Sequence, residues 1–451
     1  MNQTIIKNAT IVNEGKIVVS DVLIVNERIE KIQSTISVSN LANVRVIEAD
    51  GKYLIPGVID DQVHFRDPGL THKGDLFTES KAAVIGGVTS FMDMPNTLPN
   101  TLTCELLEEK YALASYKSLA NFSFFMGITQ HNLEEALRID TSKVCGITDD
   151  GLYFNAENGI LANHPEFLEK LFQNSNCLIA LHSENEPLIH SNFLSYYEKY
   201  GASIPFEFHP KIRSQQACVS STKTVLEIAK KWNTRLHFFH ISTLEEALLF
   251  DNSLPLHQKK ITAEACVHHL WFSDQDYARL GGLIKWNPAI KTQEDKEGLL
   301  QCLLSDHLDL IATDHAPHTY SEKSGNYSET LSGGPLVQHS LLAMLTLYKN
   351  NKISLEKVVE KMCHAPAIAY RIQERGFIRE GYFADLVLLD LEQSTHVTPE
   401  QLAYKCQWSP FLGENFKAKI LKTFVNGNLV FDEGKVNLIY NGKRLTFNPL
   451  N

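Results

Sequence analysis

The sequence is short of most signals that mark a specialised chain. It has no run of about 18 apolar residues, so no membrane-spanning helix and no membrane partner are expected. Basic charge is not in excess: 42 Lys and Arg stand against 53 Asp and Glu, a net charge of -11. That balance argues against nucleic acid as a partner while leaving an anionic small molecule open, because local charge decides the latter. The eight cysteines are scattered and form no Cys-x-x-Cys pair. Reduced, buried thiols in a cytoplasmic protein are therefore expected, and an iron–sulfur cluster is not. The opening MNQTIIKNATIVNEGK has no basic stretch followed by an apolar one, so no secretory signal is expected. No short repeat or low-complexity tract is present.

What is there fits a soluble protein with a large core: 451 residues, 43% of them apolar and 21% charged. Both ends are rich in short β-branched runs separated by turns. Val22–Val25 and Val44–Ile47 lie near the start. The end has Ala384–Asp390 and a hairpin over 423–431 with an Asn-Gly turn. Such ends can pair into one small β-sandwich. Between them, strand candidates near 58–65, 88–93, 121–128, 143–149, 176–182, 235–241, 259–267 and 308–314 alternate with helical stretches. The clearest helices are 104–120, 164–174, 214–232 and 292–305. Eight strands with helical crossovers predict an α/β protein, a closed (β/α)8 barrel over 53–375. Residues 1–52 and 376–451 would form the two parts of the sandwich. The segment 319–334, TYSEKSGNYSETLSGG, is polar and rich in Ser and Gly and reads as a mobile loop able to close over a ligand.

Chemistry in such a barrel gathers at the C-terminal ends of the strands, and metal-capable residues recur there. In the first strand, alternation puts Asp60, Gln62, His64 and Arg66 on one side. The second ends at Asp93 and is followed by Asn96, a residue also at home in a turn. The fourth ends in Asp149-Asp150, which can bind a cation or form a solvated turn. The fifth ends at His182. In the sixth, His237 and His240 are three apart and should face opposite sides, so His240, nearer the end, is the site residue and His237 is structural. The eighth ends Thr313-Asp314-His315, with His318 beyond a proline. Imidazoles and carboxylates suit zinc.

These residues resemble the amidohydrolase superfamily and, within it, the dihydroorotase family. The motifs that carry the likeness are GVIDDQVHFRDPG (57–69), GGVTSFMDMPNT (86–97), ITDDG (147–151), HFFHIST (237–243), KWNPAIK (285–291) and ATDHAPH (312–318). The resemblance implies His64, His182, His240 and Asp314 as metal ligands. Asp150 is implied as a carboxylate bridging two metals, with Asp149 as its fallback. Arg66, Asn96 and His318 are implied as holders of a substrate carboxylate, Asn287 as a ring contact, and Gly333 as a backbone contact. Asp314 is also the implied general base and acid. Two departures stand out. Gln62 occupies a position where the family has His, and an amide oxygen is a weaker zinc ligand. The lysine that many relatives carboxylate is absent from the fourth strand. One zinc held firmly and a second held weakly is the expectation. The implied reaction is the reversible, zinc-dependent conversion of N-carbamoyl-L-aspartate to L-dihydroorotate in pyrimidine synthesis. Dihydropyrimidinase or hydantoinase and allantoinase activities are alternatives on the same scaffold. A non-catalytic scaffold for aspartate transcarbamoylase is a further one. A homodimer follows by analogy.

Overall fold

The computed structural model describes residues 3–37, 44–152, 161–439 and 442–449. Among them, eight parallel strands form the barrel. They are Val58–Val63, Val88–Asp93, Asn121–Phe124 with Met126–Gly127, Ile147–Thr148, Ile179–Leu181, Leu236–Phe238, Ile261–Cys266 and Leu310–Ala312. Neighbours in sequence are neighbours in space. The ring closes where His64 N donates to His315 O at 2.7 Å and Thr313 N donates to Asp60 Oδ1 at 3.1 Å. The strands are buried along almost their whole length. A barrel ringed by helices is covered on both faces, which is why they read as near-continuous apolar runs.

The four helices expected most clearly are Cys104–Lys117, Pro165–Asn174, Gln215–Trp232 and Gln293–Leu304. Three begin at side-chain caps. Thr103 accepts from Leu106 N, Ser214 accepts from Ala217 N, and Thr292 and Asp295 form a reciprocal box.

The chain ends meet in one nine-stranded sheet. Its central strand, Tyr53–Pro56, runs parallel to Gln3–Asn13 on one side and antiparallel to Leu386–Asp390 on the other. The sheet wraps a core of Ile6, Val22, Ile24, Leu54, Leu386 and Phe424. The expected Asn-Gly turn joins Lys419–Val425 to Asn428–Asp432, with Asn426 at φ 49° and Gly427 at φ 72°. Both residues are left-handed, as a two-residue hairpin turn requires.

The barrel interior is layered. Ile59, Cys145, Leu178 and Leu310, at or near the strand starts, and Phe125 within the third strand pack on Tyr370 and Ile372. Polar side chains fill the layers above. The pairing of the first two strands slips between Asp60 and Val63. This irregularity lets both Asp61 and Gln62 point inward. The simple alternation expected for 60, 62, 64 and 66 is therefore corrected. Asp60 is spent on closing the barrel, with its carboxylate on Thr313 N and Thr313 Oγ1.

The segment 319–334 carries more local structure than its composition suggests. Thr319 and Glu322 form a capping box around the short helix Tyr320–Lys323. Lys285 Nζ donates to Tyr327 O and Thr330 O at 2.7 and 2.6 Å, and Lys323 Nζ donates to Leu331 O at 2.7 Å. Composition pointed to mobility because these staples are single lysines, one of them distant in sequence.

Candidate metal centre and substrate cavity

The strand ends bring His64, Asp150, His182, His240 and Asp314 together. Two groups of donors share Asp150: His64, Asp150 and Asp314 on one side, and Asp150, His182 and His240 on the other. His64 Nε2 lies 3.1 Å from Asp314 Oδ1 and 3.4 Å from Asp150 Oδ2. His182 Nδ1 and His240 Nε2 are 3.0 Å apart, and each is 3.9 Å from Asp150 Oδ1. Asp149 turns elsewhere: its oxygens accept from Leu161 N at 2.9 Å and His182 N at 3.3 Å. Burial, opposed by these backbone bonds, raises it to about 7.

The imidazoles are prepared for a cation. His64 Nδ1 donates to Asn96 Oδ1 at 2.9 Å, which leaves the Nε2 lone pair between two carboxylates. His182 Nε2 donates to Glu184 Oε2 at 2.9 Å, so Nδ1 faces His240 and Asp150. A partner behind these two imidazoles that fixes which nitrogen faces inward is the usual support of a metal ligand. The electrostatics agree. Burial disfavours a charged His64, yet Asp150 and Asp314 overcome it and raise the ring to about 9. His240 likewise loses to burial but gains from Asp150 and rises to about 8. At His64 and His240 the pull that favours a proton favours a cation equally, while burial lowers His182 and keeps it a neutral donor. The donor set thus fits one or two divalent ions.

Gln62 is fully buried beside this centre, with Nε2 donating to Asp150 Oδ2 at 3.1 Å. Its Oε1 faces Cys266 Sγ at 3.6 Å. His240 is not separated from His237 by strand alternation as expected. His240 adopts φ 38°, outside the strand region, and the turn brings it to the centre. His237 lies in a different group with Asp61 and Glu264. Arg66 at φ 69° and Asp314 at φ 48° are left-handed too. Such backbone costs on the order of 1–3 kcal/mol per residue and clusters where function requires it.

A cavity of about 410 Å³ opens on the centre, a size suited to a small ring ligand. His64, Arg66, Asn96, Asp150, Asn287, Asp314, His318 and Gly333 all line it. Arg66 Nε donates to Pro317 O at 3.2 Å, which aims the guanidinium along the wall. His318 is held neutral, pushed down to about 3 by burial. Its Nε2 donates to Ser332 O at 2.9 Å, and Nδ1 accepts from Lys73 Nζ at 3.1 Å. Asn287 Oδ1 is buried without a hydrogen-bond partner. Gly333 sits at φ 118°, and a Cβ there would lie 2.7 Å from Ala316 O. Only glycine allows that backbone to approach the cavity.

Sequence reasoning missed Lys73, which lines the cavity and pairs with Glu322 at 3.1 Å. It also missed Glu184, whose buried carboxylate is shared between His182 and Arg213. The His-x-Glu spacing of 182–184 was the available signal for Glu184; Lys73 carried none.

A barrel with imidazoles and carboxylates converging at its strand ends is an arrangement able to hold a metal ion, and the similarities to known proteins say which family it belongs to. The profile of the amidohydrolase family matches residues 53–430, and the chain belongs to that family. Among curated relatives it is 31% identical to a dihydroorotase of Methanosarcina acetivorans, over 90% of this chain and 88% of that one. It is 32% identical to a dihydroorotase of Carboxydothermus hydrogenoformans, over 94% and 96%. Among solved structures, the L-hydantoinase (dihydropyrimidinase) of Arthrobacter aurescens superposes with a TM-score of 0.90 at 25% identity, over 99% of this chain and all of that one. The barrel with a sandwich built from both chain ends is thus the architecture of cyclic amidohydrolases.

Proposed function

We propose that the chain is a zinc-dependent dihydroorotase, interconverting L-dihydroorotate and N-carbamoyl-L-aspartate in pyrimidine synthesis in the cytoplasm. The observation that carries this reading is Arg66. Its guanidinium lines the same cavity as His64, Asp150 and Asp314, and a neutral hydantoin or dihydropyrimidine ring gives it no carboxylate to meet. Arg66, with Asn96 and His318, holds the substrate carboxylate, and a planar two-point contact fixes the ring's orientation. Asn287 and the Gly333 backbone contact the ring.

The groups around Asp150 would hold zinc, which as a Lewis acid polarises a carbonyl and acidifies water. In the hydrolytic direction water adds to the ring amide carbonyl. Asp314 accepts the water proton and passes it to the ring nitrogen as the C–N bond breaks. In synthesis Asp314 takes a proton from the carbamoyl amide, and the same path runs backward. The loop 319–333 covers the cavity and limits water there.

The test compares turnover of dihydroorotate, hydantoin and allantoin by zinc-loaded protein. Dihydroorotate is expected to lead by about 10- to 100-fold, the scale set by one charged contact. Faster turnover of hydantoin would transfer the assignment to the hydantoinases, and no turnover of any ring would favour a scaffold.

A further inference from the structure

One layer below the centre, Asp61, His237 and Glu264 meet from the first, sixth and seventh strands, and all three are fully buried. His237 Nε2 lies 3.0 Å from Glu264 Oε2 and 3.5 Å from Asp61 Oδ2. Its other nitrogen, Nδ1, is engaged by Thr262 Oγ1 at 2.8 Å. Asp61 faces Glu264 and the buried Tyr370 hydroxyl, with no hydrogen bond of normal geometry to either, and burial pushes both carboxyls up, Glu264 to about 8. The Tyr370 ring packs 5.7 Å from the His237 ring.

Two carboxylates here have one imidazole as their only ion-pair partner among the described residues. No lysine or arginine among the described residues pairs with them. Buried charge of one sign needs a counter-charge or loses its ionisation, and a divalent cation matches two carboxylates and a neutral imidazole. The spacing suits it: ligand atoms about 2.1 Å from a tetrahedral zinc stand roughly 3.4 Å from one another. The separations match those in the centre above, where His64 and Asp314 stand 3.1 Å apart.

We propose that Asp61, His237 and Glu264 form a separate, structural metal site of zinc type inside the barrel, with the Tyr370 hydroxyl on its open side. The ligands have second partners of the kind a metal site uses. Thr262 fixes the imidazole, and Glu264 Oε1, turned away from the triad, accepts from His240 N at 3.1 Å and faces Cys266 Sγ at 3.7 Å. An ion there joins three strands and sets the carboxylate that holds the backbone of His240. Because the triad is sealed from solvent, the ion enters during folding and resists chelators afterwards.

The experiment uses wild-type protein expressed and crystallised with zinc, with anomalous diffraction recorded at the zinc edge. The expected map has a peak bonded to Asp61 Oδ2, His237 Nε2 and Glu264 Oε2, besides density at the Asp150 centre. Zinc at the Asp150 centre with no peak at the inner triad overturns the proposal. In solution, the H64A/H182A/H240A variant, still folded by circular dichroism, is expected to keep close to one zinc per chain after EDTA dialysis. Adding D61N should remove it. A folded triple variant with no zinc counts against the site.

Discussion

The two sides of the Asp150 centre are unequal. One side offers two imidazoles, His182 and His240, and His182 is anchored by a carboxylate that Arg213 in turn holds. The other offers one imidazole, His64, with Asp314, and Gln62 stands where a second imidazole would strengthen it. On the proposed reading, the richer side would retain a cation and the poorer side would keep a carboxylate free for chemistry. An enzyme that must both hold a metal and move a proton gains from separating these tasks across one shared carboxylate.

The contrast can be broken most forcefully at Asp314. Asp314→Asn should lower kcat by about 10²–10⁴-fold, with metal retained on the His182 side, as read by steady-state kinetics beside metal analysis. Near-normal turnover would remove the proposed base. Arg66→Ala should cost about 1.5–3 kcal/mol of substrate binding, seen as a raised KM for dihydroorotate at unchanged metal content; loss of metal would reassign the residue. Glu184→Gln sharpens the other side. Weakening the support of His182 should reduce metal affinity about 10–100-fold, measured by chelator competition, while substrate KM in excess zinc stays close to wild type. The smallest effect is expected from Gln62→His, which gives the poorer side a second imidazole. Binding of a second zinc should tighten by about 10-fold in the same competition, and unchanged stoichiometry would show that the amide does not limit that position.

Much of this was legible in the sequence, for physical reasons. The strands announced themselves because both faces of a barrel strand are covered, so each reads as an apolar run ending in polar residues. His64, Asp150, His182, His240 and Asp314 sit at those ends, and the structure gathers them. Less legible was anything decided by a local break in regularity. Asp61 turned inward because the first strand slips in register, and His240 swung to the centre through a left-handed backbone that no alternation rule foresees. Contacts distant in sequence, such as Lys285 on the loop carbonyls and Lys73 on His318, left no trace in spacing.

The strand Tyr53–Pro56 has one neighbour from each extremity of the chain. During synthesis its partner Leu386–Asp390 leaves the ribosome only after the whole barrel has been made. Until then one border of that sheet is open to pairing with another nascent chain. A chain broken between Ala312 and Leu386 would therefore carry all eight barrel strands and a sticky flank.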